Sequence, residues 1–284
     1  MVEVWVESVP EEVVCLFMMP GKLTQDIIES YNGFYSKIDI ISKMMFEKRT
    51  YRNAVRTDDL VPFEVIVKET DLLIRAEKDL SHKAKESVLK YRNQLETYIA
   101  INPDFERSLI PVQGASYAPE IIREMIRTSG LAGVGPMAAV AGAMAQSVSK
   151  DLLHFSNEVI VENGGDIYLA TLKERIIGIY AGPSPLSMKI GIVIEPKETP
   201  LGICTSSGTV GHSLSFGKAD AVCVLSKSAA LADAAATAVG NIVREKNDIE
   251  QGLERGKEIE GVSGVLIIVG EKMGAWGNIR LIRL

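Results

Sequence analysis

Asp233 and Thr237 are the residues whose types and spacing first suggest chemistry. They lie four positions apart inside Ser226–Asn241, a run of mostly small apolar residues. On a helix, that spacing places both on one face. The alanines favour a helix, Ser226 or Ser228 offers the N-cap oxygen, and Gly240-Asn241 marks an end. With no broad polar face, the helix is expected to be buried on most sides. A carboxylate in such a setting needs a partner, and Lys227, six residues earlier, falls on another face. Two readings stand side by side. In one, Asp233 caps another element and Thr237 bonds back to its own helix. In the other, both hold a hard cation such as Mg2+, with room left for phosphate oxygens.

Cys204–Ser215 is the next informative stretch, rich in Ser, Thr and Gly with one His. Read as a loop, it offers hydroxyls and unhindered backbone N–H groups from Ser206, Ser207, Gly208 and Thr209, which suit phosphate or ribose. His212 is a candidate general base or phosphate ligand. The segment Gly211-His212-Ser213-Leu214-Ser215 approaches the hydrolase elbow G-x-S-x-G. The last glycine is missing, however, and the following Ala221–Leu225 reads as a strand where an elbow needs a helix.

Two glycine-rich turns complete the candidates. Gly135, Pro136 and Met137 open an Ala/Gly-rich helical stretch running to Ala145, with proline suited to a first turn. Such a start can present free N–H groups to an anion. It lacks both the G-x-G-x-x-G and the Walker patterns, and a tightly packed core helix is the alternative. Asn163-Gly164-Gly165-Asp166 lies between two apolar runs and reads as a tight hairpin reversal.

Three of these blocks carry a family resemblance. Ala232-Asp233-Ala234-Ala235-Ala236-Thr237-Ala238 resembles the A-D-A-L-A-T-A signature of the ApbE superfamily of flavin transferases. Asn163–Asp166 is similar to that family's N-x-G-G-D turn, and Ser207-Gly208 with His212 to its S-G…H segment. The blocks occur in the family's order, and the likeness spans roughly residues 45–284, nearest an uncharacterised cytoplasmic branch. The resemblance implies an α+β fold built from a duplicated T-fold-like unit, with mostly antiparallel sheets and buried Ala/Gly-rich helices. It implies FAD as ligand and Mg2+ at Asp233 and Thr237. It also implies FMN transfer to a Thr or Ser of an acceptor protein, with Asp233 and His212 as catalytic candidates. Gly135, Pro136, Met137, Asn163, Gly164, Gly165, Asp166, Ser206, Ser207, Gly208 and Thr209 become candidate contacts to the nucleotide. One departure stands out. The family's His is followed by D-P-x-T-G, whereas Ser213-Leu214-Ser215-Phe216-Gly217-Lys218 stands here. Two other functions therefore remain open: a non-catalytic nucleotide or small-anion binding module acting through a protein partner, and a metal-dependent FAD pyrophosphate hydrolase.

The elements that must position these residues follow from periodicity. Alternation at Phe63–Lys68 and the run Leu72–Ala76 predict a hairpin, preceded by the basic-aromatic Arg49, Tyr51, Arg52 and Arg56. Asp79–Ala100 has an apolar stripe for a long helix ended by Asn102-Pro103, and Pro119 starts another that runs to Gly130. His82 is expected exposed and His154, between Leu153 and Phe155, packed. Strands are expected at Val159–Val161, Ile167–Leu169, Ile176–Tyr180, Met188–Ile194, Ala221–Leu225, Val265–Val269 and Ile279–Leu284, with a charged helix at Asp248–Glu260.

Composition sets outer bounds. The chain of 284 residues can bury a large core, and 46% hydrophobic with 24% charged residues is ordinary for a globular protein. A net charge of −6 without a long basic cluster argues against nucleic acid as the main partner. Cys15, Cys204 and Cys223 are isolated, which points to a reducing compartment. Leu131–Ala145 is too short and too glycine-rich for a membrane span, and acidic Glu11 and Glu12 precede the apolar Val13–Met19. A cytoplasmic location is expected. Residues 1–44 form an extension outside the resemblance, read as a strand and helix laid on the main domain or as an arm in a homo-oligomer.

Overall fold

The computed structural model describes residues 13–16 as a strand, together with residues 59–114, 116–208 and 217–284. Most of the expected hydrophobic periods become strands of a single antiparallel sheet. Hairpin β2 (Val61–Val67) and β3 (Thr70–Ala76) leads into α1 (Ser81–Ile101), α2 (Glu120–Ala132), a 3-10 turn at Pro136–Ala139 and α3 (Val140–Leu152). Hairpin β4 (Val159–Asn163) and β5 (Asp166–Ala170) follows. After β6 (Arg175–Ile179) and β7 (Ile190–Ile194), the order recurs. Strands β8 (Leu201–Ser206) and β9 (Ala221–Ser226) lead to helices α4 (Ala229–Gly240) and α5 (Ile249–Glu258), then to strands β10 (Val262–Val269) and β11 (Lys272–Gly277). Strand β12 (Arg280–Arg283) closes the chain.

Each half thus reads strand, strand, helices, strand, strand. The eight strands form one sheet in the order β11-β10-β9-β8-β5-β4-β3-β2, antiparallel at every junction. This is the α+β, mostly antiparallel architecture expected. Its two faces are apolar because it is a middle layer. Residues such as Val161, Tyr168, Cys204 and Val224 face the helices. Ile160, Ile167, Ile203 and Leu225, their alternating neighbours, face a second sheet of order β1-β6-β7-β12, where β1 is Val13–Leu16. Among the described residues no single helix is long and apolar enough to cross a membrane.

One charged network lies inside this sandwich. Arg175 on β6 is fully buried and donates to Asp59 at 2.9 and 2.8 Å and to Glu158 at 3.0 Å. Hydrogen bonding to the Arg175 guanidinium holds the Asp59 carboxyl far below the usual range. Burial pushes Glu158 up, and bonds from Thr171, the Leu172 N–H and Arg175 outweigh it, so that carboxyl is also lowered.

Several expectations need correction. Cys204–Ser206 belongs to a strand rather than a loop, and β11 has no counterpart in the sequence reading. Gly202 explains the first miss: a Cβ there would lie 2.4 Å from Ala229 Cα, so the strand needs glycine where the helix crosses it. His154 is exposed, because α3 ends at Leu152 and Phe155 also points outward. Arg49, Tyr51, Arg52 and Arg56 lie outside the described residues. So does the 1–44 extension apart from Val13–Leu16, a strand that pairs in parallel with β6.

Candidate functional site

The site forms where α3, α4 and the β4–β5 turn meet. Ser228 caps α4 by accepting the Leu231 N–H at 3.2 Å, and its own hydroxyl donates to Glu124 Oε1 at 2.8 Å. The alanines of α4 are buried, and Asp233 and Thr237 are the helix's two partly exposed residues. An Ala-rich helix is used because its neighbours come close. A Cβ on Gly142 would meet Ala229 O at 2.2 Å, so α3 and α4 touch backbone to backbone there.

This close approach decides where Asp233 points. Its Oδ2 accepts the Gly142 N–H at 2.9 Å, and the Ala141 N–H also bonds the carboxylate. These are first-turn donors of α3, so the helix start satisfies an anion that the protein itself provides. Gly135 and Pro136 are buried, with the Ser108 carbonyl oxygen 1.8 Å from where a Gly135 Cβ would sit, while Met137 is partly exposed. The Gly135 turn is thus required by packing.

The Asn163–Asp166 turn sits against the same helix start. Gly164 and Gly165 have φ values of 66° and 109°, the left-handed conformation a two-residue reversal needs. Asn163 Nδ2 donates to the Ala141 carbonyl at 3.1 Å. Asp166 is buried, accepts the Thr205 N–H and lies within hydrogen-bond reach of the Cys204 thiol, which also sits 3.3 Å from Ala229 O. Burial, reinforced by the charge of Asp233, pushes the Asp166 carboxyl well above its ordinary range. Burial pushes Asp233 up to about 7, against the pull of the two N–H groups. Cys204 is raised by burial and by both carboxylates, so it is an unreactive thiol.

The structure therefore brings Asp233, Asp166 and Asn163 together, with Thr237 one turn along α4. Ser206 and Ser207 are buried at the end of β8, and Ser207 Oγ lies 3.4 Å from Ala219 O. Gly208 N donates to Ala219 O at 2.8 Å. Thr209 and His212 lie outside the described residues. Gln146, whose Oε1 accepts the Ala229 N–H at 2.7 Å, was missed by sequence reasoning, and only tertiary contact reveals it. Among the described residues no group of three or more His, Cys, Asp or Glu could hold a metal. The available donors are two carboxylates and a hydroxyl, all hard oxygens. Among the described residues no Lys or Arg bonds either carboxylate, and oxygens of this kind are the ones a hard divalent cation takes.

The fold is that of an ApbE-like α+β protein. The chain belongs to the AbpE bacteria family, whose model matches residues 52–281. It is 45% identical over 221 residues to a UPF0280 protein of Methanocaldococcus jannaschii, covering 76% of this chain and 90% of the relative. A UPF0280 protein of Methanosarcina acetivorans is 42% identical over 217 residues, covering 75% and 85%. Among solved structures, the flavin transferase ApbE from Vibrio cholerae aligns with a TM-score of 0.53 at 14% identity, over 77% of this chain and 97% of that one. The apo flavinyl transferase ApbE of Pseudomonas stutzeri aligns at 0.53 and 15%, over 77% and 94%. At such identities these structures establish the shared fold.

Proposed function

We propose that the protein binds FAD together with Mg2+ and passes FMN to a Thr or Ser hydroxyl of an acceptor protein. The observation that carries this reading is the opposition of Asp166 and Asp233 at the α3–α4 seam, a pair of carboxylates with no basic partner among the described residues. Asp166, Asp233 and Thr237 would hold the ion. Bound there, Mg2+ would supply charge neutralisation for a pyrophosphate. The Gly142 and Ala141 N–H groups orient the Asp233 carboxylate, and Asn163 fixes the Ala141 carbonyl. The acceptor oxygen attacks the flavin-side phosphorus. A new P–O bond forms there, the pyrophosphate P–O bond breaks and AMP leaves with the electron pair. The hydroxyl proton passes to His212, the base assigned from the sequence pattern. The buried free thiols Cys204 and Cys223 agree with a reducing, cytoplasmic setting.

The replacement of D-P-x-T-G by Ser213–Lys218 favours a second reading, a nucleotide-binding module without transfer. Calorimetric titration of FAD with and without Mg2+ tests the first reading. Binding should require Mg2+ and weaken by about 100-fold or more in Asp233→Ala. Binding unchanged in that variant would overturn the metal-dependent transferase and leave the binding module. Incubation with candidate acceptors then separates them, since only the transferase leaves covalent flavin fluorescence on a second protein.

A further inference from the structure

Asp233 is held by more than its own hydrogen bond. Helices α3 and α4 are joined by two rungs. Asp233 Oδ2 accepts the Gly142 N–H at 2.9 Å, and Gln146 Oε1 accepts the Ala229 N–H at 2.7 Å. Both partners are four residues apart on each helix, in opposite order, so the rungs lie about 6 Å apart along the antiparallel pair. Each helix thus caps the first turn of the other with a side chain. Between the rungs, Gly142 lies against Ala229, where a Cβ would meet its carbonyl oxygen at 2.2 Å. Gln146 is buried, 6% exposed, among Gly142, Ala143, Ala145 and Ser149 of the same helix, which are buried too.

We infer that Gln146 is a positioning residue for the site: by pinning the Ala229 N–H it sets the axial register of α4 on α3, and hence the place of Asp233. A slip of α4 would carry Asp233 off the Gly142 N–H and away from Asp166. The Ala229 N–H is a first-turn donor with no partner inside its own helix, so the lock does not compete with helical bonding. The consequence for metal binding rests on the Mg2+ reading above, whereas the geometry stands apart from it.

The test uses Gln146→Met, which keeps volume and removes the acceptor, and Gln146→Glu, which keeps an acceptor where the start of α4 favours negative charge. Two readouts are taken on the full chain without flavin: hydrogen exchange at the Gly142 amide, and Mn2+ binding followed by electron paramagnetic resonance. Asp233→Ala sets the ceiling for exchange at Gly142. Q146M should speed that exchange about tenfold and weaken Mn2+ about tenfold, while Q146E stays within about threefold of wild type in both. Should Q146M not fold, Gln146→Ala is read in the same way. An unchanged Gly142 amide in the acceptor-less variant overturns the assignment, and so does equal impairment in Q146E, which would reduce Gln146 to packing. If wild-type protein binds no Mn2+ while the amide follows the expected pattern, Gln146 keeps its positioning role and the metal reading falls.

Discussion

Asp166 comes from the first half of the fold and Asp233 from the second, and the charge of Asp233 raises the proton affinity of Asp166 at the seam between them. Burial raises both carboxyls, Asp233 to about 7. The folded protein therefore keeps a proton that the unfolded chain has released above about pH 4. Between that pH and about 7, the stability of metal-free protein should fall as pH rises. Asp233→Asn keeps an oxygen for the Gly142 N–H and removes the charge. It should flatten this decline and leave metal-free protein about 2 kcal/mol more stable at pH 8. Thermal unfolding from pH 4 to 8 checks it; a variant whose Tm follows wild type throughout would contradict it. Saturating Mg2+ should raise the wild-type Tm at pH 8 and scarcely move the variant.

Gly142→Ala tests the backbone contact. The added methyl meets the Ala229 carbonyl group, which cannot rotate away as a side chain would. The helices must part, at a cost of about 1–3 kcal/mol. Denaturant titration should show that loss, and Mg2+-dependent FAD binding should fall with it, since the Asp233–Gly142 bond is stretched in the same movement.

Arg175→Met tests the buried network between the sheets. Two carboxylates, Asp59 and Glu158, would be left without their shared cation. The expected loss is about 3–5 kcal/mol at pH 7, measured by chemical denaturation. Both carboxyls are lowered in the folded protein, so wild type should lose this contribution as pH falls below about 4. The gap between variant and wild type should narrow in acid.

Asn163→Ala removes the amide that holds the Ala141 carbonyl. A stability change of about 1 kcal/mol is expected. The larger effect should appear in Mg2+-dependent FAD affinity, because that carbonyl belongs to the same helix start that orients Asp233. Equal small changes in both measurements would assign Asn163 to the turn alone.

Much of this architecture was legible in the chain, for identifiable reasons. The helix at Ala229–Gly240 announces itself through propensity and its Ser228 cap, and the spacing of Asp233 and Thr237 already places them together. Strand β8 was hidden because Gly202, Cys204, Thr205 and Ser206 have loop-like composition, yet Gly202 is small only because Ala229 abuts it. Strand β11 was hidden by Gly274 and Gly277, the first of which lies under Ile249 of α5. Gln146 looked like any polar helix residue. Its role exists only once α4 lies across α3, and no local pattern records that contact. The pairing of Asp166 with Asp233 is likewise tertiary, and the family resemblance alone brought the two segments into one discussion.

The ends of the His-bearing segment carry a final implication. Gly208 bonds Ala219, Lys218 bonds Val243, and Gly217 fits against Gly240 at the end of α4, where a Cβ would meet its carbonyl oxygen at 1.8 Å. The chain is thus fastened on both sides of residues 209–216, by the bonds to Ala219 and Val243 and by the close fit of Gly217 on Gly240. Doubling the length of a closed loop costs only about 0.6 kcal/mol. A change in the length of that interval should therefore cost little, and a library varied in length there, with Gly208, Gly217 and Lys218 kept, should retain folded members. The departure from D-P-x-T-G falls largely within this interval, so the chemistry carried there can differ between relatives while the anchors at Gly208, Gly217 and Lys218 stay in place.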